Sequence, residues 1–119
     1  MKLEGVLHRV TALIVRACDP EMVVLFGSYA KGQQNTDSDL DIMVIGNFQE
    51  PPFLRGLELR GLLHRYPICI DLHMVTPQEI AAKMAKPFGF VSSVIASGIT
   101  LYARQHDRYS GLFSFRRRG

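Results

Sequence analysis

Asp39, Asp41 and Asp71 each interrupt a short apolar run, the first two in "DLDIMVI" and the third in "PICIDLHMV". An ionised carboxylate held there without a partner costs several kcal/mol and would normally be replaced or neutralised. A divalent cation offsets that cost, because hard oxygen ligands suit Mg2+, and two carboxylates on one strand plus one from a neighbour can converge on a common point. Two such ions about 4 Å apart would let one activate an attacking oxygen while the other steadies a leaving oxyanion. The same chemistry gives the stretch "FGSYAKG" a purpose. Gly27 after a strand lets backbone approach a polyphosphate, amides at the following helix start attract anions, Ser28 offers a hydroxyl donor, and Lys31 adds charge. Each piece alone has an ordinary explanation, since Asp-x-Asp in a turn is commonly an Asx-turn and Gly-Ser is commonly only a turn.

The elements that must position these residues are legible from periodicity. Leu3, Val6, Leu7, Val10, Leu13, Ile14 and Ala17 line one face of an amphipathic helix, which Asp19-Pro20 stops. "MVVLF" is a buried strand ending at Gly27, "SYAKG" a helical turn, and "QQNTDS" a loop. In the next strand Leu40, Ile42 and Val44 point one way and Asp39, Asp41 and Met43 the other, so the two carboxylates share a face. A second helix is expected from Pro51 to Tyr66, weakened by Gly56 and Gly61. In "PICIDLHMV" the apolar face is Ile68, Ile70, Leu72 and Met74, and the opposite face is Cys69, Asp71 and His73. "TPQE" is a capping box that starts a helix running to about Lys83. "FVSSVIAS" is expected to be helical, and "ITLYAR" closes the order as a last strand. The fold class is therefore α+β: a small mixed sheet of four strands flanked by helices.

Other candidates compete for a role. Asp37 lies in the loop and is expected to cap it. His73 shares the face of Asp71 and is read as a satisfied histidine on a sheet surface that could approach the site. Arg55, Arg60 and Arg65 recur along the second helix and could meet phosphate or an acidic partner, although helix surfaces commonly carry such charges.

Taken together, "LFGSYAKGQQNTDSDLDIMVI" resembles the signature of the polymerase-beta-like nucleotidyltransferase superfamily: a hydrophobic strand, Gly-Ser, ten residues, then Asp-x-Asp on the next strand. Within it the chain resembles the minimal nucleotidyltransferases, often called MNT proteins, through Asp71 to "ASGITLYAR", which is similar to that family's Gly-x-x-Leu-Tyr finish. The resemblance implies a polymerase-beta palm-like fold and two Mg2+ ions held by Asp39, Asp41 and Asp71, the last also acting as base. It implies Gly27 and Ser28 on the triphosphate of ATP, with Lys31 where relatives commonly carry Arg and Gly32 closing the turn. It further implies an antitoxin that transfers AMP to a hydroxyl, a tyrosine, of a helical HEPN toxin. Two alternatives accompany that expectation: neutralisation by binding alone, and nucleotidyl transfer to an RNA end or a small molecule such as an aminoglycoside.

At 119 residues the chain suits one core rather than two. No apolar run approaches the roughly 20 residues needed to span a bilayer, and Glu4, His8 and Arg9 stand where a signal peptide would be apolar, so a cytoplasmic protein is expected. Cys18 and Cys69 lack metal or redox spacing and are expected to be reduced and structural. The net charge of +3 is placed unevenly, with Arg104, Arg108, Arg116, Arg117 and Arg118 near the end. Residues 1–104 are expected to form the nucleotidyltransferase domain and 105–119 a basic tail, which with Tyr109, Phe113 and Phe115 would suit RNA contact or simply a solvated terminus.

Overall fold

Alternation along the strands sorts the apolar residues onto two faces of one sheet. In the computed structural model, which describes residues 2–35, 37–84 and 97–104, that sheet has four strands. They are β1 (Met22–Phe26), β2 (Leu40–Ile45), β3 (Ile70–Val75) and β4 (Ile99–Ala103), in the order β3-β2-β1-β4. β1 pairs antiparallel with both β2 and β4, whereas β2 and β3 are parallel. The sheet is therefore mixed, as the pattern predicts.

One face carries Val23, Leu25, Leu40, Ile42, Val44, Leu72 and Met74. It packs under α1 (Leu3–Cys18), through Val6, Leu7, Val10 and Ile14, and α3 (Leu57–Leu63), through Leu59 and Leu63. The other face carries Met22, Val24, Phe26, Met43, Ile45 and Val75, joined by Ile80 of α4 (Pro77–Met84). The acidic residues lie on this second face. Apolar burial on both sides accounts for the unbroken burial of β1.

Helix boundaries follow local chemistry. α1 ends where Asp19 takes a left-handed conformation, its N–H bonding Val15 O at 3.0 Å, and Pro20 follows. Arg104 reaches from the end of β4 to this corner, donating to Asp19 O at 2.6 Å and pairing with the Asp19 carboxylate. The capping box of α4 forms as expected: Thr76 N–H donates to Glu79 Oε1 at 2.9 Å and Glu79 N–H to Thr76 Oγ1 at 3.2 Å.

The expected helix from Pro51 to Tyr66 is instead broken into a 3-10 turn (Pro52–Leu54) and α3. Arg55 is extended between them and Gly56 has φ +66°. A Cβ on Gly56 would lie 2.3 Å from Met74 Sδ, so the chain turns where it touches β3. The break also buries Arg55, which donates to Glu50 O at 3.0 Å, to Met74 O at 3.0 Å and to both Glu79 carboxylate oxygens at 2.7 and 3.2 Å. Arg60 donates to Arg55 O and Leu72 O at 3.2 and 2.7 Å. Two of the three recurring arginines thus bind their own chain, and Arg65 is the exposed one.

β3 begins at Ile70, later than Pro67. Cys18 and Cys69 are free thiols. The expected helix over "FVSSVIAS", up to residue 96, and the expected basic tail 105–119 lie outside the described residues. Among the described residues no helix is long and apolar enough to cross a membrane.

Glu79→Ala is expected to cost about 3 kcal/mol, because it strands the buried Arg55 charge and removes a cap. Arg65→Ala should change stability by about 0.5 kcal/mol or less. Urea unfolding of both variants checks the contrast; equal effects would contradict it.

Candidate functional site

The ladder register carries the carboxylates to one end of the sheet. Phe26 is opposite Asp41, and Asp41 is opposite Asp71, so three strands contribute neighbouring positions. His73 follows on the same face of β3, with its ring edge-on to Phe26 at 5.2 Å between centroids. Its Nε2 lies 3.2 Å from Asp71 Oδ2. Each of Asp41, Asp71 and His73 offers a ligand atom within 4.8 Å of the others.

Asp39 stands apart. It is exposed, just ahead of β2, and is not in this tight group, although its charge is felt at Asp41. His73, read from sequence as a satisfied surface histidine, is instead in the group. The signal was present in its shared face with Asp71. Asp37 is exposed in the loop and outside the group; the capping there is done by Asn35, whose Oδ1 accepts from Asp37 N–H at 2.9 Å, and by Ser38, whose Oγ accepts from Asn35 N–H at 2.9 Å.

Gly27 begins α2 (Gly27–Lys31) with φ +76°. A Cβ there would lie 2.2 Å from Asp41 Oδ2, so the carboxylate rests directly on the Gly27 backbone. Ser28 is half-buried beside it, and Lys31 is exposed at the far end of this short helix. Gly32 closes the turn with φ +70°, and Gln33 N–H returns to Ser28 O at 2.9 Å.

Burial first, and then the charge of Asp71, hold the Asp41 carboxyl above its ordinary value; His73 pulls it down and Asp39 adds to the rise. Like charges facing one another over a glycine, with no basic side chain of Lys or Arg ion-paired to either among the described residues, make a donor set that fits a divalent cation. Two grooves of about 630 and 610 Å³ lie elsewhere, along α1 with β4 and beside α3, and neither is lined by these carboxylates. The site thus lies at one end of the sheet, with the Asp71 side chain 53% exposed.

The family described as polymerase beta, nucleotidyltransferase matches residues 9–107. A Methanocaldococcus jannaschii protein carrying the name putative protein adenylyltransferase is 36% identical over 58 residues, 49% of this chain and 65% of its own length. The chain therefore spans less than two thirds of that relative. A crystal structure of a toxin–antitoxin with AMP-PNP is similar in fold, with a TM-score of 0.56 and 21% identity over 85% of this chain and 76% of that one. A structure of a tri-AMPylated Shewanella oneidensis HEPN toxin in complex with MNT antitoxin is similar with a TM-score of 0.54 and 18% identity, covering 90% and 77%.

Gly27→Ala is expected to destabilise the fold by about 2 kcal/mol or more, since it combines left-handed strain with a collision at Asp41. Unchanged thermal unfolding would contradict the close approach. A carboxyl whose folded-state pKa lies above its unfolded one favours folding less as pH rises from about 3.8 through the raised value. Metal-free Asp41→Asn protein should therefore melt higher than wild type at neutral pH, and added Mg2+ should raise the melting temperature of wild type only. A lower metal-free melting temperature for the variant would count against the repulsion.

Proposed function

We propose a function from one premise: the chain belongs to the polymerase beta nucleotidyltransferase family. The protein transfers AMP from ATP to a hydroxyl group, that of a tyrosine on a helical HEPN toxin, and serves in the cytoplasm as the antitoxin of that pair. The observation that carries this reading is the seating of Asp41 on Gly27 and opposite Asp71, which joins a carboxylate pair to the turn that would receive a triphosphate. The names of the similar adenylyltransferase and of the AMPylated toxin complex favour AMP transfer to a protein acceptor over other nucleotidyl transfers.

Roles follow from position. Gly27 has no side chain to collide with Asp41 and keeps its backbone open to the triphosphate, Ser28 donates its hydroxyl, and Lys31 supplies positive charge nearby. Asp39, Asp41 and Asp71 would hold the divalent cations, with Mg2+ the abundant candidate and two ions the expected number. When bound, they supply neutralisation of the phosphates and of the departing pyrophosphate. Asp71, accessible from outside, takes the proton of the acceptor hydroxyl as it attacks the α-phosphate in line with that departure. The acceptor's identity is set by the complex the protein forms with the toxin.

Purified protein with Mg2+ and α-labelled ATP should label its helical partner, and Asp41→Asn or Asp39→Asn should abolish labelling while circular dichroism stays unchanged. Labelling that persists in a folded variant would remove these carboxylates from the reaction. Labelling absent from wild type, with Asp41→Asn still protecting cells from the toxin, would point to neutralisation by binding alone.

A further inference from the structure

The imidazole of His73 has no part in the mechanism above, yet it stands among the atoms that would meet the cation. We propose that His73 Nε2 is a metal ligand beside Asp41 and Asp71, giving the site a mixed nitrogen and oxygen donor set that binds Mn2+ in preference to Mg2+. The inference rests on the nucleotidyltransferase reading for its purpose, but its geometry is independent of the substrate.

Octahedral bonds of about 2.1 Å put adjacent donors about 3.0 Å apart and opposed donors about 4.2 Å apart. His73 Nε2 and Asp71 Oδ2 are 3.2 Å apart, close to an adjacent pair, and the whole group falls within 4.8 Å, so small side-chain rotations complete a common centre. The ring is already oriented: Phe26 packs edge-on against it at 5.2 Å between centroids, and Asp71 lies at its Nε2. Packing of this kind fixes a ligand before the ion arrives. A cation entering between Nε2 and Oδ2 replaces the contact that now joins them, leaving the ring proton on Nδ1.

The chemical consequence is selectivity. Mg2+ prefers oxygen throughout and retains its waters, whereas imidazole suits the transition metals, and Mn2+ binds such sites more weakly than its heavier neighbours but accepts both donor types. The exposed Asp39 remains available to a second, all-oxygen position, so the two ions of the site would differ in character.

Pulsed electron paramagnetic resonance of the full chain with Mn2+ tests the assignment through ¹⁴N coupling, without reference to activity. Wild type should show imidazole nitrogen coupled to bound Mn2+ and should bind Mn2+ at least about tenfold more tightly than Mg2+ in competition. His73→Gln and His73→Ala should lose the coupling and most of that preference, which separates His73 from exposed His8 and His64. Absence of nitrogen coupling in wild type, or its persistence in both variants, would overturn the proposal. Nucleotide transfer without nitrogen coupling would sink the ligand role and leave the transferase reading standing; nitrogen coupling without transfer to the toxin would keep the ligand role and count against that reading.

Discussion

The Asp41 carboxylate rests on the backbone of Gly27 and faces Asp71 across the ladder. This close approach of like charge is the constraint on which the remaining geometry depends. It requires a residue without a side chain at position 27, in a left-handed conformation that glycine adopts freely. It also requires β1, β2 and β3 to be in fixed register, because a slip of one residue would send the carboxylate to the face covered by α1 and α3. The core on both faces enforces that register. A cation is the natural counterweight to the charge the core cannot absorb.

Parallel pairing of β2 and β3 sets a second requirement. The crossover must leave the end of β2, cover one face and return to start β3 level with Leu40, which sets Asp71 level with Asp41, and it does so through the broken segment around Arg55. That arginine joins Glu50, the end of β3 and the capping residue of α4. Its burial gives the crossover one arrangement, and so fixes indirectly where Asp71 stands. Here a buried charged residue serves the architecture, whereas the carboxylates are the groups the proposed chemistry uses.

Much of this was legible in the sequence. Period-two alternation placed Asp41 and Asp71 on one face, Asp19-Pro20 marked the end of α1, and Thr76 with Glu79 marked the start of α4. What was not legible depends on contacts distant in sequence. Nothing near Arg55 announces that Met74 and Glu79 await it, so a helix through that point was the reasonable expectation and its break was not. Similarly, alternation set Asp39 and Asp41 side by side, but β2 begins only at Leu40, and Asp39 is left exposed at its entrance. His73 carried the right face yet no motif, and only the third strand's position beside β2 gave it weight.

Crystals grown with Mn2+ and a non-hydrolysable ATP analogue would test the central claim most directly, by anomalous scattering at the manganese edge. The account predicts a peak about 2.1 Å from carboxylate oxygens of Asp41 and Asp71, with the triphosphate lying over Gly27 and Ser28. Nucleotide bound away from Gly27, or manganese held by residues other than these carboxylates, would contradict it.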